Sequence, residues 1–129
     1  MSDMAEILRI SQELARHASA RQTEIARNVA NADTPGYRAK DLVPFAEVYQ
    51  SPATMPQRTT RPGHMTAPEP QSTAKMMLDS HAEPSPNGNT VSVETEMMKS
   101  AEVRQTHDMA LAVYKNSLDL MRTAVGGRR

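Results

Sequence analysis

Apolar residues gather at the two ends of the chain and thin out between them. In the first stretch Met4, Ile7, Leu8, Leu14, Ala15, Ala18, Ile25, Ala26 and Val29 recur mostly at steps of three and four, with Ser11 and Gln22 filling the gaps. That spacing keeps one face of a helix apolar. Glu6, Arg9, Glu13, Arg16, Glu24 and Arg27 take the remaining surface. Asp3, three residues ahead of Glu6, resembles a capping box with Asp in place of Ser or Thr. Near the other end Leu111, Tyr114, Leu118, Met121 and Val125 alternate steps of three and four, and Ala110, Val113, Leu120 and Ala124 widen the stripe. Upstream, Met97, Met98 and Ala101 begin a stripe that falters from Glu102 to Asp108, where Arg104 to Asp108 offer little to a core. Ser92 suits an N-cap, Glu94 and Glu96 suit the first turn of a helix, and Gly126 suits its stop.

The helix breakers divide the chain in the same way. All 9 prolines lie between Ala32 and Val91. The pattern predicts a helix over 1–31, a turn motif and a flexible or extended middle over 32–91, and a second helix over 92–129. Isolated helices are marginal in water, so the two stripes must be buried against each other or against copies of themselves. The expected fold is mainly α: paired N- and C-terminal amphipathic helices in a coiled-coil-like hairpin, with a long Pro-rich irregular middle. Ala15, Ala18, Ala26, Ala101 and Ala110 allow close approach and also make the seam thin. From Pro52 to Pro86 the chain is too polar to offset the cost of ordering its backbone. Met76-Met77-Leu78 is its one apolar knot, a short turn of helix or a docking spot, and Pro84 to Asn89 is a turn-rich hinge.

Composition removes several classes of function. The 129 residues carry 15 basic and 15 acidic side chains, a formal net charge of zero. A general nucleic-acid binder needs a basic surplus to displace phosphate counterions, so no nucleic-acid partner is expected. With no cysteine there is neither a disulfide framework nor a thiolate site. His17, His64, His81 and His107 are dispersed without metal-ligand spacing, and no phosphate loop or catalytic triad is present. Asp33 and Asp41 have no pocket or nucleophile beside them in the sequence, so turn and cap roles fit better than a catalytic carboxylate pair. No enzyme activity, cofactor, metal or small-molecule substrate is expected. No stretch approaches the ~18 apolar residues of a membrane span, and residues 1–20 lack the apolar core of a cleaved leader.

Residues 28–42 carry the most local information. Asn28 and Asn31 lie one turn apart at the helix end, where their amides can satisfy orphan backbone groups. Asn31 or Asp33 can leave the helix through a left-handed conformation. Thr34-Pro35-Gly36-Tyr37 forms a β-turn by mechanism, since Pro presets the second position and Gly accepts positive φ at the third. Tyr37 is then an anchor. From the residues alone this is either a helix stop or a recognition site.

Ala30-Asn31-Ala32-Asp33-Thr34-Pro35-Gly36-Tyr37, preceded by Asn28 and followed by Arg38, closely resembles the N-terminal signature of bacterial flagellar rod and hook proteins. Ala39-Lys40-Asp41-Leu42 is similar to the proximal members of the flagellar basal-body rod protein family. So are Gly88-Asn89-Thr90-Val91 leading into Glu94, Glu96 and Met97, and the ending Leu120-Met121-Arg122-Thr123-Ala124-Val125. The resemblance implies a structural subunit of the proximal rod, which self-assembles through its terminal helices into a hollow, torque-transmitting drive shaft. Its implied partners are copies of itself, other proximal rod proteins, the small rod adaptor protein FliE, and the MS ring with the flagellar export gate. Its implied location is the periplasmic rod of the basal body, reached through the flagellar type III apparatus without a cleaved signal. Under that reading Asn28, Asn31, Asp33, Thr34, Pro35, Gly36 and Tyr37 form the signature turn. Ile7, Leu14, Ile25, Val29, Met97, Leu111, Tyr114, Leu118, Met121 and Val125 carry seam and assembly packing. Phe45 and Tyr49 match a loose export-gate pattern, a hydrophobic residue four positions after a Phe; the same pair with Leu42 and Val48 also makes a plain hydrophobic anchor. The competing class is a cytoplasmic helical adaptor or export chaperone with a disordered loop.

Overall fold

The computed structural model describes residues 2–50, 76–78 and 83–126. Along the chain run α1 (Ser2–Ala30), β1 (Lys40–Leu42), α2 (Phe45–Gln50), β2 (Met76–Leu78) and α3 (Val93–Gly126). The two long helices have 29 and 34 residues. They lie side by side in opposite directions. Asn28 meets Glu96, Gln22 meets Ser100, Ala18 packs with Val103, and Ser11 and Ala110 line one groove. β1 pairs antiparallel with β2, with Lys40 opposite Leu78 and Leu42 opposite Met76. Met76-Met77-Leu78, expected as a turn of helix or a docking spot, is therefore a strand. Most of the segment expected to be flexible or extended lies outside the described residues.

Local chemistry accounts for the element ends. The Ser92 carbonyl accepts from the Glu96 N–H and its hydroxyl from the Thr95 N–H, so Ser92 caps α3. The Pro44 carbonyl accepts from Glu47 and Val48 and starts the short helix α2.

The seam between α1 and α3 differs from the expected one. Met97 is 61% exposed, Leu111 47% and Val125 69%, so these three face away from α1. The buried line of α3 runs one residue earlier, through Glu96, Val103, Ala110 and Ser117. On α1 the buried line includes Ser11, Ala18 and Ile25, while Leu14 and Val29 are half-buried and Ile7 is exposed. Small residues decide the outcome. Ser and Ala on both helices let the backbones approach closely, which leaves the bulkier Leu111, Tyr114, Leu118, Met121 and Val125 along a flank. Of these, Tyr114, Leu118 and Met121 are half-buried. The stretch expected to falter supplies Val103, which closes the small apolar cluster with Ala18 and Ile25.

Candidate functional site

The chain leaves α1 through the turn at Thr34 to Tyr37. The Tyr37 N–H donates to the Thr34 carbonyl at 3.3 Å, and Gly36 sits at φ 71°. That is a type II arrangement, with Pro35 in the second position and Gly36 in the third. A β-branched residue at 36 would be strained there regardless of space. No non-glycine residue among the described ones has positive φ, so Asn31 and Asp33 do not leave the helix through a left-handed conformation. Instead the Asn31 amide donates back to the Arg27 carbonyl at 2.8 Å, and its Oδ1 accepts from the Thr34 hydroxyl at 3.2 Å. Asp33 and Pro35 are exposed.

A second segment of chain, 85–91, clasps this turn. Asn89 is buried, and its Nδ2 lies 2.9, 2.8 and 2.8 Å from the carbonyls of Asn31, Ala32 and Thr34. Its Oδ1 accepts from the Val91 N–H at 2.7 Å. The Gly36 N–H donates to Asn87, the Thr90 N–H donates to Tyr37, and the Thr90 hydroxyl accepts from the Ala39 N–H. Gly88, at φ 80°, lies directly against Gly36; a Cβ built there falls 3.5 Å from the Gly36 Cα. Asn89 thus satisfies carbonyls that the end of a helix would otherwise leave to water.

Beneath the clasp lies a polar core. Asn28 is 0% exposed. Its Nδ2 donates to the Lys40 carbonyl at 2.8 Å and its Oδ1 accepts from the Lys40 N–H at 3.1 Å, as a paired strand would. The same amide donates to Glu96 Oε2 at 3.0 Å, and the Tyr37 hydroxyl reaches Asn28 Oδ1 at 3.4 Å. Glu96, 2% exposed, also takes Lys99 at 3.1 Å. Arg21 grips Asp41 with both ends of its guanidinium, at 2.9 and 3.0 Å, while Lys99 stands 3.6 Å from the same carboxylate. Among the described residues every buried side-chain nitrogen and oxygen has a partner.

Burial pushes the Asp41 carboxyl upward. The Arg21 hydrogen bond and charge, the Leu42 N–H and Lys99 outweigh it and hold the group below its ordinary value. Arg21 is raised in turn, chiefly by its hydrogen bond to Asp41. A carboxyl depressed on folding contributes stability that is present above its unfolded pKa and is lost as pH falls through the lower folded value. Acid unfolding followed by circular dichroism should therefore show stability falling below about pH 4. Asp41→Asn should be less stable at neutral pH and should show a shallower decline in that acid range. An unchanged acid profile in Asp41→Asn would mean that this group does not set it.

Phe45 and Tyr49 come together on the outside of the hairpin. Their rings stack at 5.9 Å, Phe45 meets the edge of His17 at 5.7 Å, and the Tyr49 hydroxyl reaches Glu6 at 3.3 Å. Buried His17 has Nε2 2.8 Å from the Val43 carbonyl. The resulting anchor holds α2 against α1. Below it the helix pair is open. Ile7, Ile10, Leu14, Met109 and Val113 line an apolar groove on one side, and Leu118, Met121 and Val125 line a second surface at the end of α3. Among the described residues no group of His, Asp and Glu is arranged to hold a metal, and no helix is long and apolar enough to cross a membrane.

Sequence reasoning singled out the signature turn but missed Arg21, Asn89, Glu96 and Lys99 as structural partners, and it treated His17 as incidental. One signal was available. Glu96 shares a seven-residue line with Val103, Ala110 and Ser117, so a carboxylate occupies a position that the helix pairing buries.

Fold and site together define a packing element, two long helices tied at one end by a polar clasp and left apolar along their flanks. Comparison with known proteins identifies the class as flagellar basal body rod proteins. The chain is 31% identical over 107 residues to the flagellar basal body rod protein FlgB of Cereibacter sphaeroides, which covers 83% of this chain and 84% of that protein. It is 30% identical over 128 residues to FlgB of Salmonella typhimurium, covering 93% of each. FlgB of Agrobacterium fabrum is 28% identical over 115 residues, covering 86% of each. No family model matches the chain. At this identity and coverage the chain belongs to the FlgB family of flagellar basal body rod proteins.

Proposed function

We propose that this chain is a structural subunit of the proximal rod, built into the flagellar basal body by packing its helices against neighbouring subunits. The observation that carries the reading is the line of large apolar side chains on α3 that α1 leaves open. Met97, Leu111 and Val125 are exposed, and Leu111, Tyr114, Leu118, Met121 and Val125 keep the spacing of a helix–helix seam. A helical hairpin that displays such a stripe has unburied surface to offer a partner. The open groove at Ile7, Ile10, Leu14, Met109 and Val113 offers a second face on the other side of the hairpin. Two different faces per subunit suit a head-to-tail, helical stack. The partners in this reading are copies of the chain, other proximal rod proteins, the adaptor FliE, and the MS ring with the export gate.

The signature turn has a mechanical role here. Asn28, Asn31, Asp33, Thr34, Pro35, Gly36 and Tyr37 bring the chain off α1 along one path, and the clasp by Asn89 holds that path rigid. A shaft that transmits torque needs connections that do not hinge. In the folded chain Phe45 packs on His17. Recognition of Phe45 and Tyr49 by the export gate therefore belongs to the chain before it folds, during export through the type III apparatus to the periplasm.

The test is to remove the chain from its bacterium and restore it with an epitope tag. Cells without it should be non-motile and their purified basal bodies should lack the rod. The tagged chain should co-purify with restored basal bodies at the base of the rod. A tagged chain that stays in the cytosol while complete rods form would make it an adaptor or chaperone instead.

A further inference from the structure

The helix pair has a second register that its apolar residues would accept. Ser11, Ala18 and Ile25 are seven apart on α1, and Glu96, Val103, Ala110 and Ser117 are seven apart on α3; all seven are buried. In the observed hairpin Ser11 lies against Ala110 and Ala18 against Val103, which places Ile25 beside Glu96. Sliding α3 by seven residues, about 10 Å at ~1.5 Å per residue, would stack Ile25 on Val103, Ala18 on Ala110 and Ser11 on Ser117. That stack pairs apolar with apolar and small with small, and it takes Glu96 out of the seam. By side-chain size and polarity it is the better fit of the two. The observed register must therefore be selected by something other than the apolar stripe.

We propose that the buried polar residues at the clasped end, Asn28, Glu96 and Asn89, are a register lock that excludes this slipped hairpin. The bonds they make across the seam join parts of the chain that the slip would separate. Asn28 reaches Glu96 across the seam, and Asn89, three residues before the Ser92 cap, grips the carbonyls of Asn31, Ala32 and Thr34. Buried polar groups cost desolvation and add little net stability, and fixing register is their best-attested use in helix pairs. The lock also sets what the molecule displays. In the observed register the last turns of α3 extend beyond the first residue of α1, because Ser117 lies level with Met4 and α3 continues to Gly126. The slip would draw those turns back alongside α1 and cover part of the Leu118, Met121 and Val125 surface. This last consequence rests on the rod-subunit reading; the lock itself does not.

Disulfide trapping in the full-length chain separates the two registers, and the absence of native cysteine leaves only the introduced thiols. Gln22→Cys with Ser100→Cys reports the observed register, since these side chains already touch at 3.0 Å. Gln22→Cys with His107→Cys reports the slipped one, because in the observed register those positions are offset by about 10 Å along the helices, beyond the ~7 Å Cα limit for a disulfide. With the lock intact, only the first pair should oxidise efficiently. Removing the two amides of the lock (Asn28→Leu, Asn89→Ala) while Glu96 stays in the seam without its Asn28 partner should raise the second disulfide by roughly tenfold or more while helical circular dichroism is retained. Glu96→Gln, which keeps the hydrogen bond to Asn28, should stay in the observed register. The proposal is overturned if the double variant closes only the first pair. It is equally overturned if that variant loses its helices, since the slipped stack is argued to hold by itself, or if Glu96→Gln slips. None of these outcomes depends on rod assembly.

Discussion

Asn89→Ala is expected to lower the unfolding free energy of the chain by about 3 kcal/mol. The side chain spreads two amide hydrogens over the carbonyls of Asn31, Ala32 and Thr34 and accepts from the Val91 N–H. Truncation removes all of these bonds at once. Leaving a buried group without its partner costs about 1–3 kcal/mol, more than the bond contributes when made. Water can reach the exposed side of the turn at Thr34 and recover part of the loss, which keeps the expectation near 3 kcal/mol rather than above 5. Urea unfolding followed by circular dichroism at 222 nm (the usual helix signal) checks it. Asn89→Asp should fare almost as badly, because a carboxylate cannot donate to three carbonyls and would face them as a like partial charge. A loss below about 0.5 kcal/mol for Asn89→Ala would show that the clasp is held by its backbone bonds alone.

How far the sequence could lead is clearest at this clasp. The turn at Thr34 to Tyr37 was legible because its physics is local: Pro35 and Gly36 carry their dihedral preferences with them. The two long helices were legible for a similar reason, since their breakers and caps lie in the chain at their ends. Asn28 stood out as a polar residue near a helix end and as a member of the signature turn, without its partners. Its actual partners are the Lys40 backbone, 12 residues on, and Glu96, 68 residues on, and no local rule connects them. The seam was misplaced by one residue on α3 for a related reason. Periodicity marks large side chains, and Leu111, Leu118 and Val125 dominate that signal. Helix pairs in contact choose the line along which backbones approach, and here small residues beside one carboxylate define it. The strand at Met76–Leu78 was hidden because three apolar residues support a turn of helix as readily as an edge of sheet, and only its pairing with Lys40–Leu42 decides. The large apolar line that periodicity found still has a use. It is the surface the hairpin leaves open, and the proposed assembly is read from it.

That surface gives the second large effect. Leu111→Asp should cost the isolated hairpin only about 1 kcal/mol, because the side chain is already 47% exposed and lies outside the buried line of Glu96, Val103, Ala110 and Ser117. In an assembly that covers the α3 flank, the same change is severe. Each copy loses about 1 kcal/mol of leucine burial, since half the side chain is already covered, and must desolvate a carboxylate at a cost of several kcal/mol. A total near 5 kcal/mol corresponds to a fall of three to four orders of magnitude in association between neighbours, at about tenfold per 1.4 kcal/mol. Leu118→Asp should act in the same direction with a larger cost to the hairpin, since Leu118 is half-buried. The expected result for Leu111→Asp is an intact thermal unfolding transition in the purified chain together with loss of swimming and of rods in purified basal bodies. Met98, also exposed but about 140° round α3 from Leu111, provides the contrast. Met98→Asp should disturb rods far less, because it lies off the stripe that runs from Leu111 to Val125. If Leu111→Asp cells swim normally, the α3 flank is not where neighbours pack, and the groove beside Ile7 and Val113 becomes the face on which assembly depends.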